Sequence, residues 1–398
     1  MASFHTLYAE FEHTKNLCQF CQDFAPDSEA TRFLLIRSLD KPHLKDVIRQ
    51  YGGTSASDNF LPLMEGAYHS SVTIPQLLDY IESKRTELVR LREQELEGLP
   101  SVLEHFPIVA CGVRNDSVDD IIKKFVRDKS LKTLTELETE LDQAVLPRVR
   151  QYSLWSYYNQ TANDIIELAF LRHPRVIPTL RKIPNIDFFL NIGGEITPFD
   201  LKFTHISDDY FDLAAQGISR NTDPAAGDDF QVTGPDANSE LKQIKAFYTA
   251  FKRRHRQLGL PNISDLPGKT IKEEILTRLA ACGDPAAAQF AADALQRRRE
   301  LVPTDPESLR SLEWWNYKYQ GERLFCNNNR IFLFLAYTDR FVDGRELKGR
   351  TAQISALVTR LLDGVNAESI HTVRYRYTKD AGLTGSYQAL SLSAIYYE

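Results

Sequence analysis

Two hydrophobic periods divide the chain. Up to about residue 150 the apolar positions recur at helical intervals: Leu77, Leu78, Ile81, Leu88 and Leu91 follow Thr73-Ile-Pro-Gln76, a capping-box-like start with Pro75 in the first turn. Further helices are expected over residues 29–38, 118–127 and 134–144. From about Gln151 the pattern changes. A helix over 154–171 leads to Pro174, Pro178 and Pro184, then to two strand-like runs, 185–192 and 195–204, divided by Gly193-Gly194. Residues 207–240, rich in Gly, Asp, Ser and Pro, read as a long loop or mobile insertion, and 241–300 as helical, with Asp284 as an N-cap ahead of Pro285. The tail predicts a strand over 330–337, a helix over 347–362 and strands over 370–377 and 387–397, and no internal repeat is visible.

The second strand run decides the chemistry. In Pro198-Phe-Asp-Leu-Lys-Phe-Thr204, Phe199, Leu201 and Phe203 face one way and Asp200, Lys202 and Thr204 the other. If Gly193-Gly194 forms a two-residue primed turn, residue 192 faces 195, and the same register sets Asp187 opposite Asp200. Like charges there destabilise a bare hairpin, so the arrangement calls for a cation between them. A hard divalent ion such as Mg2+ suits two carboxylates, with phosphate oxygens completing its shell, and Lys202 could orient an attacking water. The inert alternative is an exposed hairpin face carrying a surface ion pair.

Asp187 followed by Asp200-Leu201-Lys202 resembles the D…(D/E)-x-K signature of the PD-(D/E)xK superfamily, the restriction-endonuclease-like nucleases, with Ile186 where a Pro is usual. The resemblance covers about 40 residues strongly, and the later strand–helix–strand segment, 330–377, fits the rest of that fold. It implies an α/β core, α+β over the whole chain: a restriction-endonuclease-like mixed sheet flanked by helices. A helical N-terminal domain (1–150) would precede the nuclease domain (151–398), which carries a loop and basic helical insertion at about 207–325. It also implies Asp187 and Asp200 as metal ligands with the Leu201 carbonyl, Lys202 on the water, and an extra acid from the preceding helix. Glu167 is the candidate, since it points away from the stripe Tyr158, Ala162, Ile165, Ile166 and Ala169. The metal would be Mg2+, with Mn2+ able to substitute, and the products 5′-phosphate and 3′-hydroxyl ends.

Composition bears on the partner. With 42% apolar and 26% charged residues the chain is of globular type, and its length suits two or three domains. The net charge of −6 argues at first against a polyanion, but it is segregated. Residues 1–150 hold 18 basic and 24 acidic side chains, 151–240 hold 6 and 13, 241–300 hold 12 and 6, and 301–398 hold 12 and 11. The basic excess falls on LKQIKAFYTAFKRRHRQL (241–258), whose Lys252, Arg253, Arg254 and Arg256, with Arg297, Arg298 and Arg299 further on, are candidate phosphate contacts. The alternative for both clusters is a solvated face. They lie between the hairpin and the next strand, an insertion expected near the site.

The function expected is therefore Mg2+-dependent hydrolysis of double-stranded DNA by a type II-like restriction endonuclease or related phage-defence nuclease. Its simplest arrangement is a homodimer on a palindromic site, with a cognate DNA methyltransferase as companion. Two rivals stand beside it: a repair, recombination or RNA-directed nuclease of the same fold, and a non-enzymatic binding protein in which the hairpin is inert. No P-loop is present, so any motor would be another chain. The start MASFHTLYAEFEH lacks a basic flank and apolar stretch, and no apolar run reaches the roughly 18 residues of a membrane span, so a cytoplasmic, non-membrane protein is expected. The five cysteines have no framework spacing, and Cys18-Gln-Phe-Cys21 with His13 has no second pair to complete a zinc site, so buried thiols are the better reading.

Overall fold

The capping box at Thr73 forms as the sequence predicts. The Thr73 hydroxyl accepts from Gln76 N–H while the Gln76 side chain accepts from Thr73 N–H. The computed structural model describes residues 3–13, 17–23, 29–106, 115–215, 239–266, 271–319, 328–342, 344–377 and 381–398. The first helices are α1 (Phe4–His13), α2 (Leu17–Asp23), α3 (Glu29–Arg37), α4 (Lys41–Tyr51), α5 (Phe60–His69), α6 (Ile74–Glu95), α7 (Leu99–Glu104), α8 (Asn115–Arg127) and α9 (Leu134–Glu140). A π-turn, Leu141–Val145, then feeds α10 (Leu146–Leu171), with Pro147 in its first turn, where a missing N–H costs nothing.

After α10 come β1 (Val176–Ile183), β2 (Ile186–Ile192) and β3 (Glu195–His205). The Gly193-Gly194 turn has φ of +62° and +93°, the left-handed values a primed two-residue turn requires and that side chains beyond Cβ resist. Next are α11 (Asp208–Ala214), α12 (Glu240–Arg254), α13 (Ile271–Ala281), α14 (Pro285–Leu301) and α15 (Pro306–Tyr319). Asp284 caps α14 by accepting from Ala286 and Ala287 N–H. The chain closes with β4 (Arg330–Ala336), α16 (Thr351–Gly364), β5 (His371–Tyr377) and β6 (Gly385–Tyr397). The long loop expected at 207–240 begins instead as α11, and its residues 216–238 lie outside the described ones.

The result is an α+β fold: N-terminal helices, one mixed six-stranded sheet in the order β1-β2-β3-β4-β6-β5, and flanking helices. The first three strands are antiparallel, β3–β4 and β4–β6 are parallel, and β5 returns antiparallel to β6. Strand β1 was not anticipated, because Pro178 reads as a breaker. At the sheet edge that proline needs no ladder partner on its outer side, and the register breaks just beyond it. One face of the sheet buries Phe199, Leu201, Ile331 and Leu333 against Ile166 and Phe170 of α10 and Ile354 and Val358 of α16. The other sets Phe332, Phe334 and Tyr375 against Leu312 and Tyr317 of α15.

The N-terminal helices do not stand apart from the sheet. Their apolar cluster, with Phe33, Leu34, Leu77 and Ile81, includes Ile177 and Ile183 of β1 and Ile186 and Phe189 of β2. Arg85 on α6 reinforces the junction by donating to the carbonyls of Leu171 (2.6 Å) and Val176. Cys18 is buried and Cys21 half-buried on α2, and burial pushes the Cys21 thiol up to about 12, the behaviour of a packed thiol. No helix among the described residues is long and apolar enough to cross a membrane.

Candidate active site

The candidate site lies where β3 changes partners. From Glu195 to Phe199 it pairs antiparallel with β2, in the register that sets 192 against 195 and 188 against 199. From Asp200 onward it pairs in parallel with β4. That register is the one the turn predicts, and Asp187 and Asp200 stand one step beyond its last pair. There the ladder gives way to a side chain: Asp187 Oδ2 accepts from Leu201 N–H at 2.7 Å. A strand residue turns its N–H and C=O to the same edge, so the Leu201 carbonyl also faces β2.

Asp200 is buried, at 6% exposure, and two cations share its carboxylate. Lys202 Nζ spans both oxygens, at 3.0 Å from Oδ1 and 2.9 Å from Oδ2, and Arg330 Nε lies 3.2 Å from Oδ2. The Arg330 side chain is 2% exposed and that of Lys202 is 39% exposed. Arg330 also has its guanidinium carbon 5.2 Å from the Tyr317 ring centre. Beside it, Asn329 Nδ2 donates to the Pro198 carbonyl (3.1 Å), its Oδ1 accepts from Leu390 N–H (2.9 Å), and its backbone carbonyl accepts from Asp200 N–H (2.9 Å). One buried amide thus ties the middle of β3 and of β6 to the start of β4 beside the carboxylate.

Glu167 is half-buried on α10. Loss of water raises its carboxyl to about 7, the charges of Asp187 and Asp164 push the same way, and Arg92 and Lys182 oppose them. Burial likewise raises Asp187, helped by the charge of Asp200 and resisted by the Leu201 N–H and Lys202. The helical wheel does place Glu167 off the apolar stripe. That face is not a solvated one, because α10 is packed on both the sheet side and the α7 side.

These residues suit a divalent cation by donor chemistry: two carboxylates of hard oxygen, a strand carbonyl on the same edge, and a third acid within electrostatic reach. Among the described residues, no three His, Cys, Asp or Glu side chains converge tightly enough to cage a metal as they stand. The two carboxylates and the carbonyl would leave the remaining coordination to water and substrate, as Mg2+ prefers.

The basic candidates divide. Arg253, Arg254 and Arg256 are exposed, as are Arg297 and Arg299, while Lys252 is half-buried and donates to Asn262 Oδ1 at 2.5 Å. Arg298 corrects the sequence reading. At 5% exposure its guanidinium lies over the Phe211 and Phe341 rings, at 4.1 and 4.9 Å, and is not presented to a polyanion. The spacing carried that signal: Ala287, Ala291, Ala294 and Arg298 form one buried stripe of α14. The part of the insertion that carries the basic clusters, α12 to α14, is also not anchored beside the carboxylates; of the insertion's described residues only α15 reaches them, through Tyr317. The basic part packs on Phe341, whose N–H donates to Glu273, beyond the end of β4 that is remote from Arg330, and a seven-residue strand spans about 20 Å.

Sequence reasoning missed Arg330 and Asn329. The one trace was a charged residue opening an otherwise apolar strand, Arg330-Ile-Phe-Leu-Phe-Leu-Ala336. Compared with protein-family models, curated proteins and solved structures, the chain matches none.

Proposed function

We propose that this chain is a Mg2+-dependent endonuclease of restriction-endonuclease-like fold that hydrolyses phosphodiester bonds of double-stranded DNA. The observation that carries the reading is the nearness of Asp187 to Asp200, one step past the last β2–β3 pair with Asp187 on Leu201 N–H, at the point where β3 passes from β2 to β4, with the Lys202 ammonium on Asp200. The mixed sheet, with its hairpin and the crossover to a parallel β4 beside the carboxylate strand, is compatible with that fold.

In this reading Asp187, Asp200 and the Leu201 carbonyl would hold Mg2+, which supplies Lewis-acid polarisation of the phosphodiester and of the attacking water. The Lys202 side chain is 39% exposed against 9% for Asp200, and its flexible stem lets the ammonium leave Asp200 to orient water and offset charge growing on phosphorus. Glu167, with its carboxyl near neutrality, is poised to take up a proton at working pH. Hydrolysis in this sense leaves 5′-phosphate and 3′-hydroxyl ends.

The exposed arginines of α12, the turn after it and α14 would lie along phosphates flanking the scissile one, since about 20 Å of strand corresponds to roughly six base pairs. A homodimer would bring one site to each strand, and a cognate methyltransferase would protect the host's own sites. The test is incubation with plasmid, phage DNA and a structured RNA in Mg2+, with Asp200→Ala and Lys202→Ala in parallel. The reading expects discrete DNA fragments from the wild type alone. Cleavage that survives both substitutions would remove the site assignment. Cleavage of RNA alone would favour the RNA-directed alternative, and no cleavage of any substrate the binding-protein one.

A further inference from the structure

We propose that Arg330 is a positioning residue that reserves one oxygen of Asp200, so that this carboxylate meets a divalent cation through Oδ1 only. The inference rests on the nuclease reading above and deepens it.

The two cations on Asp200 are unlike in every respect that governs whether they can leave. Lys202 is 39% exposed on a flexible stem and touches both oxygens, so it can withdraw into solvent with little loss. Arg330 is 2% exposed, sits directly across the parallel ladder from Asp200, and meets that carboxylate with Nε on Oδ2. Its guanidinium is backed by the Tyr317 ring, and that ring is fully buried with its hydroxyl donating to the Asn328 carbonyl at 2.8 Å. The Asn329 amide fixes the strand end from which Arg330 projects. Moving the arginine would tear a buried guanidinium from its carboxylate and its ring with no room to reach water, which is far costlier than moving an exposed lysine.

A divalent cation arriving at Asp200 would therefore displace Lys202 and not Arg330. Lys202 bridges both oxygens as a removable counter-charge; its departure leaves Oδ1 open while Arg330 Nε stays on Oδ2, and the amine set free is the one the mechanism needs near the water. Arg330 pins Oδ2 and fixes the carboxylate plane, but its positive charge repels the incoming cation. It thus trades metal affinity for geometry. Two unit positive charges on the metal facing one on the guanidinium at about 5 Å amount to roughly a tenfold change in affinity even at the dielectric of water.

The direct test is a crystal structure of the wild-type protein soaked with Mn2+, located by its anomalous signal. The expected result is Asp200 bound through one oxygen, with Arg330 Nε still on the other and Lys202 withdrawn. A bidentate Asp200, or Arg330 swung away, overturns the proposal. The second arm compares Mn2+ binding by titration calorimetry with single-turnover cleavage in Arg330→Gln. Tighter Mn2+ binding, by about tenfold, together with slower cleavage is the expected split. A fall in both, or no change in affinity, overturns the role of Arg330 while leaving the nuclease reading intact. Wild-type protein that binds Mn2+ no better than Asp187→Asn overturns both.

Discussion

Replacing Glu167 by Gln should stabilise the metal-free protein, and by an amount that depends on pH. Desolvation beside Asp187 and Asp164 raises this carboxyl from 4.5 to about 7. An acid whose folded pKa lies above its unfolded value costs stability when it ionises. The wild type therefore has this contribution in full below about pH 4.5 and loses it progressively as pH rises through 7. At 1.36 kcal/mol per unit the raised value corresponds to about 3 kcal/mol in favour of Glu167→Gln at pH 8, and to little near pH 4.5. Glutamine keeps the length and loses the charge, so packing is nearly conserved. The assay is urea unfolding of both proteins in EDTA at several pH values, reading the difference in unfolding free energy. A difference that grows by about 3 kcal/mol between pH 4.5 and pH 8 supports the placement of Glu167 in the carboxylate cluster. A difference flat across that range would mean that Glu167 is a solvated helix residue, and the argument for a third acid at the site would fall. Saturating Mg2+ should shrink the difference at pH 8, because a cation offsets the repulsion that the substitution otherwise removes.

Further outcomes follow from particular contacts. Charge reversal at the exposed Arg253 and Arg254 should weaken duplex binding and flatten the plot of log affinity against log salt by about two phosphate contacts, measured by fluorescence anisotropy; Arg298→Met should leave that slope unchanged. Arg298→Met should instead lower the thermal midpoint, since it removes a cation stacked on Phe211 and Phe341. Asn329→Ala strands the Pro198 carbonyl and the Leu390 N–H in the interior and should cost about 2–4 kcal/mol in urea unfolding, two unsatisfied buried groups at the usual penalty.

The hairpin was legible in the sequence because its information is local. Alternation with a period of two assigns the faces, and Gly193-Gly194 fixes the turn, so the nearness of Asp187 to Asp200 follows from a register that the structure reproduces. The helices announced themselves by caps, as at Thr73 and Asp284. Strand β1 did not, because a proline penalises a central strand but not the outer side of an edge strand, and edge position is a property of the whole sheet. Arg330 stayed hidden for a similar reason: its partner is 130 residues away, and the periodicity of β4 says only that its neighbours are buried. In the Arg297-Arg298-Arg299 run, composition suggested three equivalent cations, whereas helical spacing turns the middle one inward.

In the proposed function Asp187 and Asp200 form a metal-dependent phosphodiesterase centre. Its most direct test is single-turnover cleavage of a labelled DNA duplex as a function of Mg2+, by wild type and by an Asp187→Asn variant shown to be folded. The expected rate saturates with Mg2+, vanishes in EDTA and falls at least about a hundredfold in the variant, the scale of losing a group that acts in the transition state. Equal rates for the two proteins, or cleavage by wild type that persists in EDTA, would contradict it.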